Sequence, residues 1–187
     1  MDRRGIRVVP SARTGMYVAL FDSSGDLQNA VADADIAKDF VNQDFVREFD
    51  SQIRNANVVI VDANLSERTL SEIGKLCTAT CWLEPTSVAK ARSCVRAGLL
   101  KHVTVISPNE DELNGMIREL GDTSEDEDLE MKSKRLLKEM PSSSSVVVTL
   151  GGRGAAIVDN HGITYFDPGN VESVRNCTLL CSEHCYS

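Results

Sequence analysis

No apolar run in this sequence approaches the ~20 residues that a membrane-spanning helix requires. The opening residues, MDRRGIRVVP, also lack the apolar stretch of a secretory signal. Excess positive charge is missing: 20 Lys and Arg stand against 28 Asp and Glu, for a formal charge of −8 and a pI near 4.9. Nucleic-acid phosphates and anionic lipid surfaces attract basic faces, so no nucleic acid and no membrane is expected as a partner. Neither the GxxxxGK[ST] phosphate loop nor the dinucleotide fingerprint occurs, and there is no solenoid-type repeat. Without a sign of export, the six cysteines are expected to be reduced thiols and the chain to be cytoplasmic.

What is present is a chain of 187 residues, 42% hydrophobic, enough for one domain with a substantial core. Thr14 to Ile36 places β-favouring residues on either side of Asp22 to Gly25, a turn signal, and predicts a hairpin. Phe40, Val41, Phe45, Val46, Phe49 and Ile53 then recur at helical spacing and predict one amphipathic helix over Asp39 to Ile53. From Ala56 the rhythm becomes strand, turn, helix: ANVVIVDANL, TCWLEPTS, HVTVISPNEDEL and SVVVTLGGRGAAIV are the apolar runs. Runs apolar throughout, each of the first three followed by a helix, imply a mostly parallel sheet covered on both faces and an α/β class. Asp122 to Glu130 holds six carboxylates and is expected as a solvated connection leading into the helix DLEMKSKRLLKEM. A last hairpin is expected to turn at Asp159 to Gly162.

In open α/β sheets ligands bind beyond the carboxyl ends of parallel strands. Each apolar run here ends in polar residues: Asp62 and Asn64; Glu84, Thr86 and Ser87; Ser107, Asn109 and Glu112; Thr149 with Gly151, Gly152 and Gly154. In PNEDEL, Asn109 is fit to cap a helix whose first turn carries carboxylates, which the helix dipole favours on its own. Alternatively Asn109 and Glu112, one turn apart, hold a hydrated Mg²⁺. The glycines of TLGGRGA permit close backbone approach to a phosphate, a weak signal alone. Glu84 and Ser87 are suited to bind hydroxyls, with Lys90 one turn beyond Ser87; a plain cap at Thr86 or Ser87 accounts for the same residues.

Taken in order, RTGMYVALFDSSGDLQNAVAD, VVIVDANL, CWLEPTSVAKA, ISPNEDEL and VVVTLGGRGA resemble the ribokinase-like (PfkB) carbohydrate kinases, and within them the pseudouridine kinase branch, from about Ile6 to Cys177. The resemblance implies a single partial kinase domain over residues 1–187: a lid-like hairpin at 6–36, an α/β core at 37–170 belonging to a three-layer sandwich, and a divergent tail at 177–187. It implies transfer of the ATP γ-phosphate to a sugar hydroxyl, here the 5′-hydroxyl of pseudouridine, or of another nucleoside or sugar. ATP and Mg²⁺ are the implied cofactors. Asn109 and Glu112 match the metal and phosphate motif, and Thr149, Gly151, Gly152 and Gly154 the nucleotide loop. Thr14, Asp62, Asn64, Glu84, Ser87 and Lys90 fall on the substrate side.

Two departures from the family pattern carry their own expectations. The sequence begins downstream of the family's first strands, which is expected to leave a sheet edge and an apolar face uncovered, with self-association or a non-catalytic pairing role as the result. Where the family carries Gly-Ala-Gly-Asp, with its catalytic aspartate and anion hole, Thr178 is followed by LLCSEHCYS. No catalytic residue is therefore assigned, and activity is expected to fall by several orders of magnitude. The tail is read as a splice, frameshift or exon-boundary product. Cys177, Cys181, His184 and Cys185 are zinc-type ligands, but their span leaves little room for four tetrahedral contacts.

Overall fold

The structure is a computed structural model and describes residues 3–22, 27–121 and 127–169. Strands β1 (Met16–Phe21) and β2 (Leu27–Asp33) pair antiparallel, with Met16 opposite Asp33, as the hairpin pattern predicts. The single helix expected over Asp39 to Ile53 is instead three short ones: α1 (Asp35–Phe40), α2 (Gln43–Arg47) and α3 (Asp50–Arg54). Asn42 explains the first break, because its side chain accepts a hydrogen bond from the Phe45 amide and starts a new helix instead of continuing the old one. Among the six apolar residues of that stretch only Val46 is buried.

A six-stranded sheet follows, in the order β3-β4-β5-β6-β7-β8. Its strands are β3 (Val58–Asp62), β4 (Thr80–Glu84), β5 (Val105–Ile106), β6 (Ser145–Thr149), β7 (Ala155–Asp159) and β8 (Gly162–Phe166). The first four are mutually parallel and the last two antiparallel, so the sheet is mostly parallel, as expected. The run SVVVTLGGRGAAIV is two strands, not one, divided at the glycine loop. Crossovers pass through α4 (Glu67–Leu76), α5 (Val88–Arg96), α6 (Glu110–Glu119) and α7 (Leu129–Lys138). Ser66 caps α4 and Asp128 caps α7 through bonds to the third amide beyond them, which is why those helices start where they do.

Strand order that advances one step per crossover, with right-handed crossovers, stacks every connecting helix on the same face. Burial agrees. Val61, Cys81, Leu83, Ile106, Val146, Val148, Ala156 and Val158 join Leu70, Ile73, Cys94, Met116 and Leu136 from the helices in one core. Complete burial of such side chains contributes roughly 1.5–3 kcal/mol each. Alternate positions point the other way, where Val58, Ile60 and Trp82 remain 52%, 75% and 37% exposed. Cover on both faces is thus met on one face only: among the described residues no helix packs on the second, and the sandwich is incomplete.

Candidate active site

Parallel register brings the polar strand ends to one rim. Asp62 lies opposite Glu84 across β3 and β4, the Ser107 amide donates to the Leu83 carbonyl (3.0 Å), and Asn109 bridges Thr149, whose amide donates to the Pro108 carbonyl (3.0 Å). Glu84, Asn109 and Thr149 therefore share one edge. Three side-chain chains run along it. Asp62 Oδ1 accepts from the amide and side-chain nitrogens of Asn64 (2.7 and 2.6 Å), and Asn64 Oδ1 accepts from Lys90 Nζ. Ser107 Oγ donates to Glu84 Oε2 (2.8 Å), and Trp82 Nε1 donates to Ser107 Oγ (2.8 Å). Asn109 Oδ1 accepts from the Glu112 amide (2.8 Å) while Glu112 Oε2 accepts from the Asn109 amide (3.0 Å).

The link from β4 to α5 is strained. Thr86 has φ of +63°, and the Ser87 amide donates to the Pro85 carbonyl across it (2.9 Å), forming a positive-φ γ-turn. A β-branched residue in that conformation costs of order 1–3 kcal/mol. Thr86 Oγ1 is buried without a hydrogen-bond partner among the described residues. Ser87 begins α5 but makes no side-chain cap bond, so the simple capping account of Thr86 and Ser87 does not hold. The turn leaves Lys90 one helical turn inside α5, half-buried against Asn64.

At Asn109 the capping account does hold. Asn109 and Glu112 form a reciprocal capping box at the start of α6, and Glu112 is fully buried. As direct ligands of Mg²⁺ the two do not fit, because each side chain already spends an oxygen on the helix and Glu112 has no solvent-facing surface. Among the described residues no three His, Cys, Asp or Glu side chains gather as a metal site. In the glycine loop, Gly151 (φ +57°) and Gly152 lie open to solvent with free space where a Cβ would stand. Gly154 differs: a Cβ there would lie 2.0 Å from the Phe166 carbonyl oxygen, so its glycine serves the contact between β7 and β8. Arg153 pairs with Glu110, linking the loop to α6.

Thr14 is exposed at the foot of the hairpin. Its neighbour Gly15 lines a mainly apolar cavity of about 530 Å³ that reaches Ile36, Val59, Asp62 and Asn64. The stretch after Thr178 and the cysteine-rich tail lie outside the described residues. Sequence reading places Ser107 among the polar strand ends without giving it a role, and does not single out Trp82. Strand periodicity puts Trp82 and Glu84 on one face, a signal present in the sequence. The register that sets Ser107 beside Glu84 is not.

Comparison with known proteins decides the family. The model of the pfkB family carbohydrate kinases matches residues 2–178. The chain belongs to this family. A pseudouridine kinase of Arabidopsis thaliana is 32% identical over 123 residues, covering 64% of this chain and 32% of that protein. A pseudouridine kinase of Escherichia coli (strain K12) is 26% identical over 104 residues, covering 54% and 32%. The chain thus spans about a third of the length of the curated relatives it matches. Among solved structures, Arabidopsis thaliana ribokinase complexed with ribose and ATP superposes with a TM-score of 0.67 at 18% identity, covering 86% of this chain and 50% of that one. That likeness identifies a ribokinase-like fold. The hairpin beside a mostly parallel sheet is consistent with this PfkB assignment.

Proposed function

We propose that this PfkB chain carries part of a kinase site that transfers the γ-phosphate of ATP to the 5′-hydroxyl of a nucleoside, pseudouridine first. The observation that carries the reading is the gathering of Asp62, Glu84, Asn109 and Thr149 on one sheet rim. Carboxylates accept hydrogen bonds from sugar hydroxyls, which suits Asp62 and Glu84 to the acceptor, with Lys90 and Asn64 fixing the end of β3 and Ser87 lining the turn. The two open glycines, Gly151 and Gly152, follow Thr149 and suit close approach of a nucleotide. Mg²⁺ supplied with the nucleotide would offset phosphate charge, and the Asn109–Glu112 box holds the start of α6 at the same rim. Thr14 belongs to the hairpin, whose closure would keep water from competing as acceptor.

The identity of the curated relatives supports pseudouridine over ribose or adenosine. A second reading is favoured by one observation, the apolar sheet face with Ile60 75% exposed: a non-catalytic module that binds nucleotide and pairs with another subunit, including a second copy. A coupled phosphotransfer assay with pseudouridine, uridine, ribose and adenosine separates them. Weak turnover, highest with pseudouridine and several orders of magnitude below that of a kinase with the Gly-Ala-Gly-Asp motif, supports the kinase; ATP binding with no detectable turnover on any acceptor favours the pairing module; neither binding nor turnover refutes both.

A further inference from the structure

Trp82 is the chain's single tryptophan, and its indole N–H donates to Ser107 Oγ at 2.8 Å. An indole nitrogen only donates, so Ser107 must act as acceptor there and send its own proton elsewhere. Two acceptors lie within reach of the hydroxyl: Glu84 Oε2 at 2.8 Å and the Leu83 carbonyl at 3.3 Å. The shorter, charge-assisted bond wins, and the polarity of the chain is fixed as indole to hydroxyl to carboxylate. Ser107 is 7% exposed, so water has little access to replace either bond.

We infer that Trp82 is a positioning residue which, acting through Ser107, fixes the Glu84 carboxylate at the rim for a nucleoside hydroxyl; this rests on the kinase reading above. The physical reason lies in the strand. Glu84 is the last residue of β4, followed by Pro85 and the strained turn at Thr86, and its carbonyl accepts from the Ala63 amide (3.0 Å) where the strand ends. Trp82 sits two residues earlier on the same face, opposite Ile60 of the neighbouring strand. A large planar side chain with few rotamers is a better anchor for a hydroxyl than a flexible one. Each bond in such a series polarises the next, so loss of the indole weakens the Ser107–Glu84 bond as well.

The test uses the 187-residue chain and two readouts. The lone indole gives a single ¹H–¹⁵N resonance; the proposal expects both Ser107→Ala and Glu84→Ala to move it and to speed its exchange with solvent. An indole resonance that ignores Glu84→Ala overturns the chain. In pseudouridine titrations, Trp82→Phe is expected to weaken binding about five-fold, the scale of one neutral hydrogen bond. In the Glu84→Ala background the same substitution should change affinity less than two-fold, because its route to the ligand is gone. Equal losses in both backgrounds would mean a merely structural tryptophan and contradict the proposal. If the unaltered chain binds no nucleoside, the kinase reading fails while the indole resonance still decides whether the chain exists.

Discussion

Gly154 has φ of +86° and faces the Phe166 carbonyl at a distance no Cβ could share. Gly154→Ala should therefore destabilise the protein by about 2–4 kcal/mol, since the new methyl forces strand β8 aside in a conformation that alanine also resists. Urea unfolding followed by circular dichroism checks this; an unchanged midpoint would refute the contact. Asn109→Ala removes one half of the capping box and is expected to cost about 1–2 kcal/mol by the same measurement. Asn109→Asp keeps the acceptor and should retain most of that stability. Comparing nucleotide affinity in the two variants then separates capping from ligand contact, because a residue that serves the helix alone leaves affinity intact once the cap is restored.

At the level of elements, ion pairs join helices on the solvent side: Arg92 and Arg96 of α5 meet Glu119 of α6 (2.7 and 3.3 Å), and Arg47 of α2 meets Glu72 of α4 (2.7 Å). The hydrogen bond from Arg92 holds the Glu119 carboxyl below its ordinary range, and that from Arg47 does the same for Glu72. A carboxyl depressed in the folded state stabilises above its unfolded value and loses that contribution as pH falls through the folded one. Thermal melts should thus decline below pH ~4.3, and Arg92→Gln should flatten the decline. An identical acid profile in that variant would remove the pairs from the account. Elements of this kind were largely legible: the strand–helix rhythm, the caps at Ser66 and Asn109 and the last hairpin follow from local patterns. The single helix over Asp39 to Ile53 misled because Asn42 diverts the backbone, a local hydrogen bond that outweighs apolar periodicity. Asp62, Glu84, Asn109 and Thr149 could be named from strand ends, but the bond from Trp82 through Ser107 depends on register between strands 25 residues apart in sequence.

Among the described residues the sheet is dressed on one face and open on the other, and the hairpin adds exposed Val18, Leu20 and Val31 at 54%, 62% and 71%. Apolar surface of that extent drives association, so the 187-residue chain should sediment with a concentration-dependent mass, reduced by Ile60→Lys. A monomer at all concentrations would contradict this. The central claim is that one rim of this sheet receives nucleoside and nucleotide. Backbone amide resonances recorded during titration with pseudouridine and Mg–ATP test it most directly. Shifts concentrated at Asp62, Asn64, Glu84, Asn109 and Gly151 are the predicted result; shifts at the opposite strand ends, around Ala79, Thr104 and Ser144, or none at saturating ligand, would contradict it.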